Sequence, residues 1–351
     1  MVTRRRPAIP IQSPGLDWAR CSEPELLATR ICDLDLRLEG SAVEPRYREL
    51  LWELQRRGLR FKPHSWLSSD WFSPDGCSGF AVPFYLAHPR LVWLERRQML
   101  EVEGGSREQC LRLMRHEAAH AIDNAYRLRR KKIFRETFGR ASAPYRSTYT
   151  PDPSSRDYVQ NLSHWYGQSH PLEDFAETFA VWCRPRSVWR QRYAGWPALS
   201  KLEAVDQMMT SIATLKPVQL SRAREEPAHR LRMTLGEYYE AKRQVYSDEA
   251  DPAFDGQLLR VFPPAEDKLD GRPRAARLLQ RRRNALARRV AFASGQHRYL
   301  LDHVLGEMIA RAKSRDLRYD SSEADALLDA GIVLTSLSRQ FLYGAHPRYQ
   351  R

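Results

Sequence analysis

Two histidines four residues apart, with a glutamate directly after the first, are the residues of this chain best suited to chemistry. They are His116, Glu117 and His120, in Arg115-His116-Glu117-Ala118-Ala119-His120-Ala121. The surrounding stretch reads as helix from Cys110 to about Leu128, and no Gly or Pro interrupts it. A helix turns once in about 3.6 residues, so side chains four apart share a face. His116 and His120 can then present two imidazole nitrogens to one ion, as a tetrahedral zinc site requires. Glu117 sits beside them, where a carboxylate can take a proton from a zinc-bound water. Leu111, Met114, Ala118, Ile122 and Ala125 supply an apolar stripe for the same helix. A surface helix could equally carry two solvated histidines, so the motif calls for a third ligand.

A candidate lies downstream, in His170-Pro171-Leu172-Glu173-Asp174-Phe175-Ala176-Glu177. Pro171 suits the first turn of a helix, and the acidic residues crowding that turn suit the helix dipole. Phe175, Phe179 and Trp182 recur at helical spacing, which predicts a buried amphipathic helix. Glu173 and Glu177 stand one turn apart. The first can bind zinc; the second can accept the free N–H of a ligating histidine, fixing its tautomer and raising its basicity. On their own these acids could be no more than a charged helix start. Asp174 points about 100° away from Glu173. Asp123, three residues after His120, faces near the site and reads either as support for a ligand or as a helix-surface charge. His164 and His170 flank Tyr166 and read either as alternative ligands or substrate contacts or as loop and capping residues; the latter is expected, because three protein ligands fill a catalytic zinc site.

His-Glu-x-x-His followed by a Glu-x-x-Ala-Glu helix resembles the gluzincin metallopeptidases. The segment from His170 to Glu177 is similar to a bacterial family of zinc-binding metallopeptidases, and a Tyr, a short loop and such a helix also occur in the catalytic domain of anthrax lethal factor. The resemblance covers roughly residues 85 to 190. It implies that His116, His120 and Glu173 are the ligands of one Zn2+ per chain, that Glu117 is the general base and that Glu177 backs a ligand. It also implies that Tyr166, seven residues before Glu173, stabilises the tetrahedral oxyanion. The chain departs from the family at Leu172 and Phe175, where Trp is usual; these are packing positions.

The formal net charge is +14 and the pI about 9.8. Such a balance attracts nucleic acid or acidic surfaces non-specifically, although Arg is spread along the whole chain. The five cysteines are widely spaced and form no C-x-x-C pair, so neither a zinc ribbon nor a disulfide framework is expected and a reducing cytoplasm fits. The basic N-terminus has no apolar core behind it, and no apolar stretch is long enough to span a bilayer.

These readings place a disordered basic arm at 1–16, a zincin-like metallopeptidase domain at 17–215 and a mostly helical lobe at 216–351. The fold class is α+β with a small mixed sheet. Strands are expected at Ile31–Leu38, Gly79–Leu86 and Leu91–Glu95, the last as an edge strand to which an extended peptide can add. Pro45 to Gly58 and Leu199 to Leu215 read as helices, 61–79 as turn-rich, and 131–160 as a lid or substrate loop. Helices near 274–293, 297–313 and 322–343 follow. The first is Arg-rich over 272–289, which is by default a solvated face and otherwise a dock for an acidic partner. The function expected is zinc-dependent hydrolysis of peptide bonds in a peptide or protein substrate. The alternatives are a catalytically silent zincin scaffold that binds protein and a basic nucleic-acid-binding protein.

Overall fold

A computed structural model describes residues 17–145, 149, 151–244, 253–266 and 270–344. The expected arm at 1–16 and the side chain of His164 lie outside the described residues. The elements run α1 (Glu23–Ala28), α2 (Glu44–Arg56), β1 (His64–Ser68), β2 (Gly79–Pro83), α3 (Pro89–Met99), α4 (Arg107–Tyr126), α5 (Lys132–Phe138), α6 (Pro171–Cys183), α7 (Trp189–Arg192), α8 (Ala198–Ile212), α9 (Leu235–Gln244), α10 (Ala253–Val261), α11 (Ala275–Ser294), α12 (Arg298–Ser314) and α13 (Glu323–Gly344). The fold is α+β and mostly helical.

The sheet is smaller than expected and parallel: β1 and β2 pair from His64–Gly79 to Ser68–Pro83. Gly79 permits that pairing, because a Cβ there would lie 2.4 Å from the carbonyl oxygen of His64. The connecting loop folds back so that Ala81 N donates to Phe72 O at 2.7 Å. β2 therefore has a neighbour on each side.

Helix α4 packs between α2, β2 and α6. Ser106 caps its start by accepting from Gln109 N at 3.1 Å, and Arg127 ends it in the left-handed region at φ 52°. Burial on nearly every side suits a helix inside a core, not one on a surface. A buried ion pair fixes it to α2: Arg115 donates from Nε and Nη2 to the two oxygens of Glu53, at 2.7 Å each. On the other side α5 supplies Phe134 and Phe138, whose rings lie 5.2 and 5.6 Å from that of Phe175 on α6. The 131–160 segment thus begins as core and not as a lid.

Three strand expectations are corrected. Leu91–Glu95 lies in α3. His88 caps that helix, Pro89 opens it, and Leu91, Leu94, Glu95 and Met99 are buried at helical spacing. The expected edge strand before the histidine helix is therefore a helix. The Gly79–Leu86 strand stops at Pro83, and Phe84–Ala87 continues as a 3-10 turn. Ile31–Leu34 is also a 3-10 turn, with Ile31 and Leu34 buried three residues apart and Asp35 at φ 44°. Conversely, the turn-rich 61–79 segment contains β1.

Residues beyond the expected boundary at 215/216 hydrogen-bond to residues before it. Val218 N and Gln219 N both donate to Ala125 O, at 2.9 and 3.0 Å. Further along, Trp66 Nε1 donates to Glu225 O at 2.9 Å and Ile31 N to Met233 O at 3.0 Å. This extended segment wraps the first lobe, and α9 then packs on α1 and α3. Helices α10 to α13 form the helical lobe, with α11 lying against α12 and α13. Glu101 anchors the lobe by accepting from Arg298 N at 3.2 Å and pairing with His297 at 2.8 Å. No helix among the described residues is long and apolar enough to cross a membrane.

Candidate metal centre

The crossing of α4 and α6 brings the two sequence motifs face to face. His116 and His120 rise from one face of α4, and Glu173 comes from the first turn of α6. His116 Nε2 lies 3.0 Å from Glu173 Oε2 and 3.2 Å from His120 Nε2; His120 Nε2 lies 3.4 Å from the same oxygen. Among the described residues these three form the group able to hold a metal ion. In a tetrahedral site with bonds of about 2.0–2.1 Å, neighbouring donors sit about 3.3–3.4 Å apart. The three observed separations, 3.0 to 3.4 Å, lie at or slightly below that spacing. The donor set also fits: two imidazoles and one carboxylate are the ligands of a catalytic zinc site that keeps its fourth position open.

The cluster is buried and its electrostatics are strongly coupled. His116 is 3% and Glu173 4% exposed. Burial alone would lower the pKa of His116, but Glu173 and Glu177 on either side outweigh it and raise it well above the usual imidazole value. Burial likewise pushes Glu173 up, yet His120 and His116 hold its carboxyl well below the ordinary range. This mutual stabilisation of cation and anion describes the side chains alone; a divalent cation would take the place of the histidine protons.

Glu177, one turn after Glu173, is fully buried. His116 Nδ1 donates to its Oε1 at 2.9 Å. The backbone N–H groups of Asn161 and Leu162 donate to Oε2 at 3.0 and 2.6 Å, and Asn161 Nδ2 donates to Oε1 at 3.1 Å. Every donor orients the carboxylate toward His116 and leaves Nε2 of that ring to face the cluster. Glu117 is 7% exposed on α4; burial raises its pKa, opposed by His116 and His120. A raised carboxyl is better matched to taking up a proton near neutral pH.

Tyr166 stands in a 3-10 turn just ahead of α6, its ring 5.7 Å from that of His116. Trp165 before it adopts φ 51°, a left-handed conformation uncommon outside glycine. Asp123 is paired with Arg129. It accepts from Arg129 N at 2.7 Å and from Arg129 Nε, so both its oxygens tie the end of α4 to the turn that follows. Asp174 turns away from the cluster and accepts from Lys201 Nζ at 2.6 Å. His170 caps α6, with Nδ1 accepting from Leu172 N at 3.2 Å.

Three further contributors belong to no sequence motif. Asn161 and Leu162 hold Glu177, and Tyr145 Oη donates to Glu173 Oε1 at 2.7 Å. Burial, and next the Glu173 charge, push the Tyr145 phenol well above its usual pKa, so at neutral pH it remains a donor.

Residues 96–195 match the model of a family described as "Putative zinc-binding metallo-peptidase". The matched span contains α4, α5, α6 and the whole candidate centre. No curated protein and no solved structure matches the chain.

Proposed function

We propose that this chain, whose residues 96–195 match a zinc-binding metallopeptidase family, is a zinc-dependent peptidase hydrolysing peptide bonds. The observation that carries the reading is the triangle of His116 Nε2, His120 Nε2 and Glu173 Oε2, with edges of 3.0, 3.2 and 3.4 Å. Those atoms would hold one zinc. When bound there, the metal supplies a Lewis acid for the scissile carbonyl and acidifies a water. Glu117 accepts the proton of that water and passes it to the leaving amine. Glu177 keeps the Nδ1 proton of His116 in place, which makes Nε2 the ligating nitrogen and raises its basicity. Tyr166 donates its phenol proton to the oxyanion as the carbonyl becomes tetrahedral.

The test is zinc content together with digestion of a peptide library, with and without chelator. Wild-type protein is expected to carry one zinc and to cleave. Glu117→Gln keeps the zinc and loses about 10²–10⁴ in rate, because the amide cannot accept a proton. Tyr166→Phe loses about 10²–10³ in turnover with metal content unchanged. Absence of zinc, or cleavage by Glu117→Gln at the wild-type rate, would sink the reading.

A further inference from the structure

The carboxylate of Glu173 has two oxygens and the structure uses them differently. Oε2 faces His116 and His120, at 3.0 and 3.4 Å, while Oε1 receives the hydroxyl of Tyr145 at 2.7 Å. The phenol is held from outside the site. Its ring lies flat on the imidazole of His170, with centroids 3.8 Å apart and planes 17° apart. His170 is fixed at both nitrogens: Nδ1 accepts from Leu172 N at 3.2 Å and Nε2 donates to Ala143 O at 2.9 Å. The start of α6, the capping histidine and residues 143–145 thus form one small frame, and the frame aims a hydroxyl at Glu173.

We propose that Tyr145 is a positioning residue for the metal centre, holding one oxygen of Glu173 so that the other alone is presented to the cation. The inference rests on the metal reading above and adds to it a residue that the paired motifs do not contain. A carboxylate can meet a metal through one oxygen or both, and an O–H donor on one oxygen disfavours the two-oxygen mode while fixing the plane of the group. Outer partners of this kind typically contribute about 10–100-fold to metal affinity. Glu177 performs the corresponding task for His116, so two of the three ligands are steered by a neighbour.

Tyr145→Phe tests this directly, since it keeps the ring on His170 and removes the hydroxyl alone. The readouts are zinc affinity, by competition with a chelator, and the visible spectrum of the cobalt(II)-substituted protein. The expected result is zinc binding about 10–100-fold weaker than wild type and a changed cobalt spectrum, with the far-ultraviolet dichroism of the apoprotein unchanged. His170→Asn, which retains a capping side chain but removes the stacking platform, should shift affinity in the same direction and by less. Tyr145→Phe with wild-type zinc affinity and an unaltered cobalt spectrum overturns the inference alone. Wild-type protein that takes up no zinc overturns the metal reading, and this inference with it.

Discussion

The core around α4 and α6 and the helical lobe of α10 to α13 both carry many charges but place them differently. Around α4 the charges are inside. Glu53, Arg115, Asp123, Glu173, Asp174 and Glu177 are all buried, and each meets a partner within hydrogen-bond reach. In the lobe several lie outside, although Arg318 is buried beside Asp316. Arg281 and Arg282 share Glu323, and Arg315 meets Asp255, with side chains between 31% and 52% exposed. Buried charges survive only when every one is paired, because isolated ions cost several kcal/mol to desolvate. Exposed pairs are nearly neutral in energy. Paired charge in the first region surrounds the candidate centre, whereas the Arg281, Arg282 and Arg315 pairs of the second are open to solvent. Over 272–289 the pairing of the arginines is partial. Several of those arginines are already paired with Asp270, Asp302, Asp316 and Glu323, while Arg277, Arg288 and Arg289 are exposed.

Truncation gives the largest effect and tests where the first region ends. A chain stopping at Leu215 loses the segment that bonds to Ala125, Trp66 and Ile31, and should fail to melt cooperatively or to retain zinc. A chain stopping at Gln244 keeps that wrap and should do both, as followed by circular dichroism and metal content. If the longer form also fails, the anchoring of Arg298 and His297 on Glu101 makes the two regions one cooperative unit.

Single charges sharpen the contrast further. Glu53→Ala leaves Arg115 buried without its partner, one residue from His116, and should cost about 3–5 kcal/mol in denaturant unfolding. Glu323→Ala in the lobe removes two exposed pairs and should leave the unfolding midpoint nearly unchanged. Equal losses would abolish the distinction between the two regions.

The site was legible where its residues follow a helical period. His116 and His120 are four apart, Glu173 and Glu177 likewise, and an imidazole with a carboxylate on each side needs nothing more than two crossing helices. Tyr145 and Asn161 were not legible, since they reach Glu173 and Glu177 across irregular chain where no spacing constrains them. The pairing of Asp123 with Arg129 was not legible either, since the turn after α4 that brings Arg129 back has no sequence period. The misread strands share another cause. Leu91-Val92-Trp93-Leu94 is an apolar run whose composition suits a strand, and only the preceding His-Pro start marks it as helix. β1, with Ser at both ends of its Trp-Leu pair, is a strand because β2 lies beside it. Tertiary pairing outweighs propensity in such short segments.

The smallest effect belongs to a group between the two extremes, His88. It is half-buried at the start of α3, packs edge-on against Trp18 at 4.8 Å, and accepts from Arg90 N through Nδ1 at 3.1 Å. That acceptor role requires an unprotonated nitrogen. Burial holds the pKa of His88 below its ordinary value of 6.5. As pH falls through about 6.5 the unfolded chain takes up the proton first, so stability drops with acidification. The contribution is complete above that value and is lost as pH falls to the lower folded-state pKa. His88→Asn retains a capping acceptor that does not titrate. Melting temperatures at pH 7.5 and 5.5 should therefore fall by less in His88→Asn than in wild type, by a margin smaller than the Glu53 effect. Equal pH dependence in the two proteins would show that His88 stays neutral, or is lost from the cap, across the whole range.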